Sequence, residues 1–224
     1  LLIFGQTFDW ASMGHRPDGS NGVYTEGGLC VDPSGNSYIT GYYYGQDSDA
    51  ESATFGSYHL HGYYTGAFQS DIFFASFDAA GNVRWADRAG YTESMERGYE
   101  CAYYGGYVYF TGRFIGEFYH GSTNTYVLSM GSDDMLLCKY SSGGTFQWIE
   151  RGGGTSSDYG TGIDISSTGE IYIVGYYNGT ATFDGYSITS SGGSDIFLAK
   201  YSTSGVCQWV TSMGGTGYDG GLDV

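Results

Sequence analysis

The sequence predicts an all-β chain, a β-propeller of four-stranded antiparallel blades, and three observations carry that prediction. Glycine (40 residues) and tyrosine (24) are abundant and proline is nearly absent (2), with no long segment of apolar residues at helical spacing. Glycine mixed with aromatic and β-branched residues favours short strands joined by tight turns. One phrase also recurs: Asp71-Ile-Phe-Phe-Ala-Ser-Phe to Trp85, Asp134-Met-Leu-Leu-Cys-Lys-Tyr to Trp148, and Asp195-Ile-Phe-Leu-Ala-Lys-Tyr to Trp209. In each copy the distance from Asp to Trp is 14 residues.

A second landmark, Tyr-x-x-Gly, stands at Tyr38–Gly41, Tyr109–Gly112 and Tyr172–Gly175. From the preceding Trp (Trp10, Trp85, Trp148) to this Tyr the distances are 28, 24 and 24; from Tyr to the next Asp they are 33, 25 and 23. Insertions therefore gather in one connection, as expected of a fixed strand framework carrying a variable loop.

The third period shows the elements in order. Asp158–Ile165 reads as strand A, with Ile163 and Ile165 on one face. Ser166-Ser-Thr-Gly169 makes a turn and Ile171–Tyr177 is strand B. A Ser/Thr/Gly-rich connection follows, through Asn178-Gly-Thr-Ala-Thr-Phe-Asp-Gly. Ile196–Tyr201 is strand C, Ser202-Thr-Ser-Gly205 turns, and Cys207–Met213 is strand D. Four short strands in about 60 residues describe a propeller blade better than a solenoid coil. The predicted layout is one repeat region: a partial blade over 1–13, blades over about 20–90, 94–153 and 156–214, and a lone strand A over 218–224. The chain starts and stops inside strands, which reads as a processed product or a piece of something longer. Lone edge strands and half-covered apolar faces are costly in water, so something is expected to complete them.

The phrase Gly-Ser-Asp195-Ile-Phe-Leu-Ala-Lys-Tyr, then Ser-Gly205, Gln-Trp209 and Gly214-Gly-Thr-Gly-Tyr-Asp219, resembles the bacterial-type β-propeller repeats called SBBP repeats. Val31-Asp-Pro-Ser-Gly-Asn-Ser-Tyr-Ile-Thr-Gly41 does so too. The likeness covers nearly the whole chain and is weakest in the middle repeat, where Glu100-Cys-Ala-Tyr-Tyr-Gly-Gly replaces the Asp-x-x-Gly turn. It implies an extracellular or cell-surface protein, commonly large, with no shared catalytic site.

Charge narrows the partners. A net charge of −16, with Lys and Arg totalling 8, repels phosphate backbones and anionic lipid, so neither nucleic acid nor a membrane surface is an expected partner. No apolar run reaches the ~18 residues of a membrane span.

Candidate sites divide into recurrent and single ones. Asp71, Asp134 and Asp195 recur in every unit, as structural residues do, and are expected to accept backbone N–H bonds in the turn. Trp10, Trp85, Trp148 and Trp209 recur likewise and are expected to pack between blades. Asp47-Ser-Asp49-Ala-Glu51 carries the alternating oxygen ligands of a calcium loop without full EF-hand spacing, so calcium is the one cofactor considered. His59-Leu-His61 has no third ligand near it and reads as exposed loop. Asn178-Gly-Thr180 is an N-glycosylation sequon placed at a blade rim. Cys30, Cys101, Cys138 and Cys207 form no C-x-x-C pair, which argues against structural zinc. They allow three disulfide pairings or none; Cys30 and Cys101 fall at equivalent repeat positions.

There is no Gly-x-Ser-x-Gly elbow, no His-Glu-x-x-His and no phosphate loop leading into a helix, so no enzyme is expected. The expected function is a secreted, non-catalytic structural protein that self-associates through its incomplete terminal blades into a fibre or surface layer. The alternative is a glycan- or ligand-binding propeller module of a larger cell-surface protein. That alternative uses exposed tyrosines such as Tyr42–Tyr44, since Tyr rings stack on sugars.

Overall fold

The structure is a computed structural model that describes residues 22–26, 28–44, 53–62, 69–91, 95–120, 123 and 125–224. Trp10, the expected partial blade over 1–13 and the Asp47-Ser-Asp49-Ala-Glu51 loop lie outside the described residues. Among those residues the chain is all-β, with several antiparallel sheets and no helix.

Three repeats follow one another. The first holds β1 (Val23–Tyr24), β2 (Leu29–Val31), β3 (Ser37–Tyr44), β4 (Ala53–Phe55), β5 (Tyr58–Leu60), β6 (Ser70–Phe77) and β7 (Val83–Ala89). The second holds β8 (Arg97–Tyr104), β9 (Tyr107–Phe114), β10 (Glu117–His120), β11 (Thr125–Leu128), β12 (Asp134–Ser141) and β13 (Phe146–Gly154). The third holds β14 (Tyr159–Ile165), β15 (Ile171–Phe183), β16 (Tyr186–Tyr201) and β17 (Cys207–Met213). Each builds an antiparallel A-B-C-D meander: β2-β3-β6-β7, with β1 also pairing β3, then β8-β9-β12-β13, then β14-β15-β16-β17.

The strands are apolar on both faces because the core lies between repeats, on each side of every inner strand. On β12, Leu136, Cys138 and Tyr140 point into a cluster shared with Tyr38, Phe74 and Trp85 of the first repeat. Their neighbours Met135 and Leu137 point the other way, into a cluster with Ile163, Ile173, Phe197 and Tyr201 of the third. The two-residue period of a strand assigns alternate side chains to alternate cores.

Tight turns close the hairpins where the Gly-containing tetrapeptides predict them. In the turn after β12, the N–H of Gly144 donates to the Ser141 carbonyl at 2.9 Å, and Gly144 has φ = +89°. A residue in that left-handed conformation after a tight turn matches the right-handed twist of the strands it joins. Asp32 and Asp78 strengthen their turns by accepting the backbone N–H groups of Asn36 and Asn82 at 3.0 and 2.8 Å.

The B–C connection departs from the expected irregular loop. Strand B of the third repeat runs on to Phe183, past a register shift between Asn178 and Thr180, and turns at Asp184-Gly185 into the long β16. The second repeat makes the same two-stranded ribbon from β10 and β11, and the first from β4 and β5. The ribbon is an inter-repeat clasp. Its strand in the third repeat pairs Ala181, Thr182 and Phe183 with Gly154, Gly153 and Gly152 at the end of the second repeat's strand D. Tyr119 makes the corresponding bridge to Gly90 of the first. Alternating Thr and Ser had masked strand character that only the partner strand reveals.

Residues 218–224 carry no strand assignment. The segment still occupies the place where a strand A begins: the N–H of Asp219 donates to the Ser194 carbonyl at 2.7 Å, as that of Asp158 does to Asp133 and that of Glu96 to Ser70. No strand B lies beside it among the described residues to complete a ladder.

Candidate functional site

One cross-strand position differs between repeats while the scaffold around it does not. In each repeat the residue after the Tyr-x-x-Gly landmark pairs with a residue at the start of strand A or, in the first repeat, on β1 just before it. The pairs are Tyr24↔Tyr42, Arg97↔Arg113 and Tyr159↔Tyr176. The first tyrosine pair stacks with centroids 5.1 Å apart, and the third is tilted, with centroids 4.7 Å apart and an interplanar angle of 39°.

The arginine pair of the middle repeat reaches to both sides. Arg97 lies 4.4 Å over the Tyr42 ring and bonds Glu26 at 2.9 Å. Arg113 lies 5.1 Å over Tyr159, donates from Nε to the Tyr99 hydroxyl at 3.0 Å, and forms an ion pair with Asp133. Burial pushes the Tyr99 phenol up to about 12, against the pull of Arg113. Two like charges at paired positions would repel; here each has its own carboxylate and its own ring face. A continuous Tyr–Arg–Tyr row therefore crosses all three repeats.

The row opens into a cleft of about 410 Å³ at its third-repeat end. Tyr159 and Tyr176 supply aromatic lining, with Ser132, Ser156, Ser157, Asn178 and Ser194 around them and the 88% exposed Tyr218 at one side. The walls are tied together: Ser132 and Ser157 hydroxyls are 3.0 Å apart, and the Ser194 hydroxyl donates to the Asp219 carbonyl at 3.2 Å. Asp133, outside the lining, accepts from the Tyr159 hydroxyl at 3.3 Å and from Arg113, which orients the Tyr159 ring.

The cleft lining contains aromatic faces, hydroxyls and one amide, and no His, Cys or carboxylate. Such a surface can stack on an apolar ring face and exchange hydrogen bonds around its edge. Among the described residues no group of three or more His, Cys, Asp or Glu could hold a metal ion.

The residues singled out in the sequence fall in several places. Asn178 lines the cleft from within β15, in a strand where the sequence predicts the connection after strand B. The Asp134 carboxylate accepts the Met130 N–H at 2.7 Å, and that of Asp195 accepts the Ser191 N–H at 3.0 Å. Each is packed against the glycine that ends strand D: a Cβ on Gly153 or Gly214 would strike Asp134 or Asp195, as one on Gly90 would strike Asp71. Trp85 packs across the first inter-repeat core, and Trp148 approaches Gly205 of the next repeat's turn. Trp209 stands 6.2 Å from Tyr172 of its own repeat. His59 lies on β5, within a ribbon and not a loop, and is exposed.

All four cysteines are free thiols. Cys30 pairs with Tyr38, whereas Cys101 pairs with Phe110, one position past Tyr109, so the two are offset by one residue within the repeat and are not equivalent. The sequence missed the Tyr–Arg–Tyr row because the landmark specifies only the Tyr and the Gly. Comparing the next residue across the three copies (Tyr42, Arg113, Tyr176) was the available signal.

No known protein family matches the chain. The chain is 32% identical over 109 residues to an uncharacterized WD repeat-containing protein, L264, of Acanthamoeba polyphaga mimivirus. That likeness covers 40% of this chain and 7% of the viral protein, so the chain spans a small part of the relative's length. The likeness and the all-β architecture agree on a repeat of β-propeller type.

Proposed function

We propose that the chain is a non-catalytic propeller repeat region of SBBP type, extracellular or at the cell surface, that binds glycans in the Tyr159–Tyr176 cleft. The observation that carries this reading is the cleft's lining: two tyrosine rings 4.7 Å apart beside serine hydroxyls and the Asn178 amide. The C–H face of a sugar ring stacks on Tyr, and its hydroxyls exchange bonds with Ser and Asn. The acidic chain favours neutral sugars over sulfated or phosphorylated ones. Because Asn178 lines this cleft, a glycan attached to it and a bound glycan compete for one volume.

Binding to a glycan array, followed by titration calorimetry with Tyr159→Ala and Tyr176→Ala, tests the proposal. Each variant is expected to weaken binding about two- to twelvefold while keeping the wild-type far-ultraviolet circular dichroism, since ring stacking of this kind contributes about 0.5–1.5 kcal/mol. Absence of binding to any sugar, or binding unchanged in both variants, overturns it.

A second reading, end-to-end self-assembly, is favoured by a separate observation. Tyr218, Leu222 and Val224 are exposed on a segment already seated where a strand A begins. Leu29 and Val31 are exposed on β2 of the first repeat. A contact between these two faces on different copies is heterologous and propagates into a filament. Light scattering that grows with concentration and is abolished by Leu222→Asp would support it; a monomer at every concentration would sink it.

A further inference from the structure

Cys30 on β2 and Cys101 on β8 are 71 positions apart in the sequence and belong to consecutive repeats, yet their Sγ atoms are 2.9 Å apart. The Cys101 thiol is also 3.3 Å from the Tyr38 carbonyl, which holds it at the boundary between the repeats. Cys138 and Cys207 are buried in different core clusters, one on each side of the middle repeat. Of the six pairs that four cysteines can form, Cys30–Cys101 is the one with its sulfurs in contact.

We propose that Cys30 and Cys101 are a redox pair, which closes to a disulfide on reaction with a low-molecular-weight disulfide and clamps the first repeat to the second. Cys30 is half-buried and Cys101 is buried, so the reagent meets Cys30 first. The Cys30 thiol loses its proton and its thiolate attacks one sulfur of the reagent; the reagent's S–S bond breaks and one small thiolate leaves. The Cys101 thiolate then attacks the Cys30 sulfur of the mixed disulfide and expels the second small thiolate. The two cysteine protons end on the two released thiols, and the two electrons lost by the protein reduce the reagent. Burial, and the neighbouring Cys30, push the Cys101 thiol well up, which makes it a poor attacker of free reagent. Its contact with Cys30 supplies proximity for the second step. Burial likewise pushes Cys138 up, and Cys207 to about 11, so both stay as thiols.

The test incubates the full chain with oxidised glutathione or with dithiothreitol, then denatures it, alkylates free thiols and measures intact mass and peptides. The reduced protein is expected to take four alkyl groups. The oxidised protein is expected to take two, to lose two hydrogens, and to yield a peptide linking Cys30 to Cys101. Its unfolding midpoint should also rise, because the cross-link closes a long loop in the unfolded chain, and Cys30→Ser should lose that rise and take three alkyl groups in both conditions. Four alkyl groups after oxidation, a link between any other pair, or a stable glutathione adduct on Cys30 overturns the proposal. The peptide map of the native chain decides the question whether or not the variant folds.

Discussion

Trp85 donates its indole N–H to the Ser142 carbonyl at 3.0 Å, across 57 residues of sequence and across the boundary between two repeats. Its ring stacks on Tyr140 at 5.8 Å with an interplanar angle of 11°. The neighbouring Gly144 completes the fit: a Cβ there would stand 2.7 Å from Trp85 Cγ. The recurring Trp and the recurring turn glycine are therefore two halves of one inter-repeat joint, which the near approach of Trp148 to Gly205 repeats.

Trp85→Ala removes the ring and its bond together and is expected to cost about 3–5 kcal/mol of stability. Gly144→Ala keeps the ring but places a Cβ against it at φ = +89°, and is expected to cost about 1–3 kcal/mol. Denaturant midpoints measure both. A loss below about 0.5 kcal/mol in either, the ordinary range of a surface change, would contradict the joint.

Tyr109→Phe should go the other way. The Tyr109 hydroxyl is buried with no hydrogen-bond partner, and burial pushes the phenol up to about 12. Removing an unsatisfied polar atom is expected to leave stability unchanged or raise it by about 1 kcal/mol. Tyr177→Phe is the control: its hydroxyl is 2.7 Å from that of Ser212, and its loss is expected to cost about 1 kcal/mol.

The ribbon clasp depends on Gly152, where any Cβ would collide with the Phe183 ring. Gly152→Val is expected to unseat the ribbon and speed amide exchange at Ala181–Phe183, while the Ile196–Tyr201 part of β16 and β17 keep their protection. Uniformly faster exchange through the third repeat would show that the ribbon is not a separable element.

Stability should fall as pH rises from about 4 to about 7. Burial raises Asp134 to about 6 and Asp158 to about 7 from an ordinary 3.8. Below 3.8 both carboxyls are protonated whether folded or unfolded, and the contribution is fully present. As pH rises the unfolded chain ionises first, so the contribution is lost progressively up to the folded values. Asp134→Asn keeps an acceptor for the Met130 N–H, whose partner is Oδ2 alone, and removes one titration. Its denaturant midpoint is expected to vary less between pH 5 and 7.5 than that of the native chain; an identical dependence would contradict the assignment.

The strands and their phase were legible because they are local. Cys207–Met213 is predicted and observed with the same bounds, since its period and the Gly205 turn before it lie in adjacent residues. The Asp134 turn was legible for the same reason: its acceptor contact with Met130 spans four residues. The ribbons were not, because the Thr and Ser of Asn178–Phe183 become strand only through pairing with Gly152–Gly154 of another repeat.

By itself, then, the sequence determined the all-β class, the repeat and the place of the A–B and C–D turns, all of which follow from a two-residue period and from glycine's access to φ > 0. The tertiary structure alone decided which side chains meet across repeats. Those meetings are Arg113 over Tyr159, Tyr176 beside the serines of the cleft, and Cys30 against Cys101. They depend on how successive sheets stack, a relation between residues tens of positions apart that no local pattern encodes.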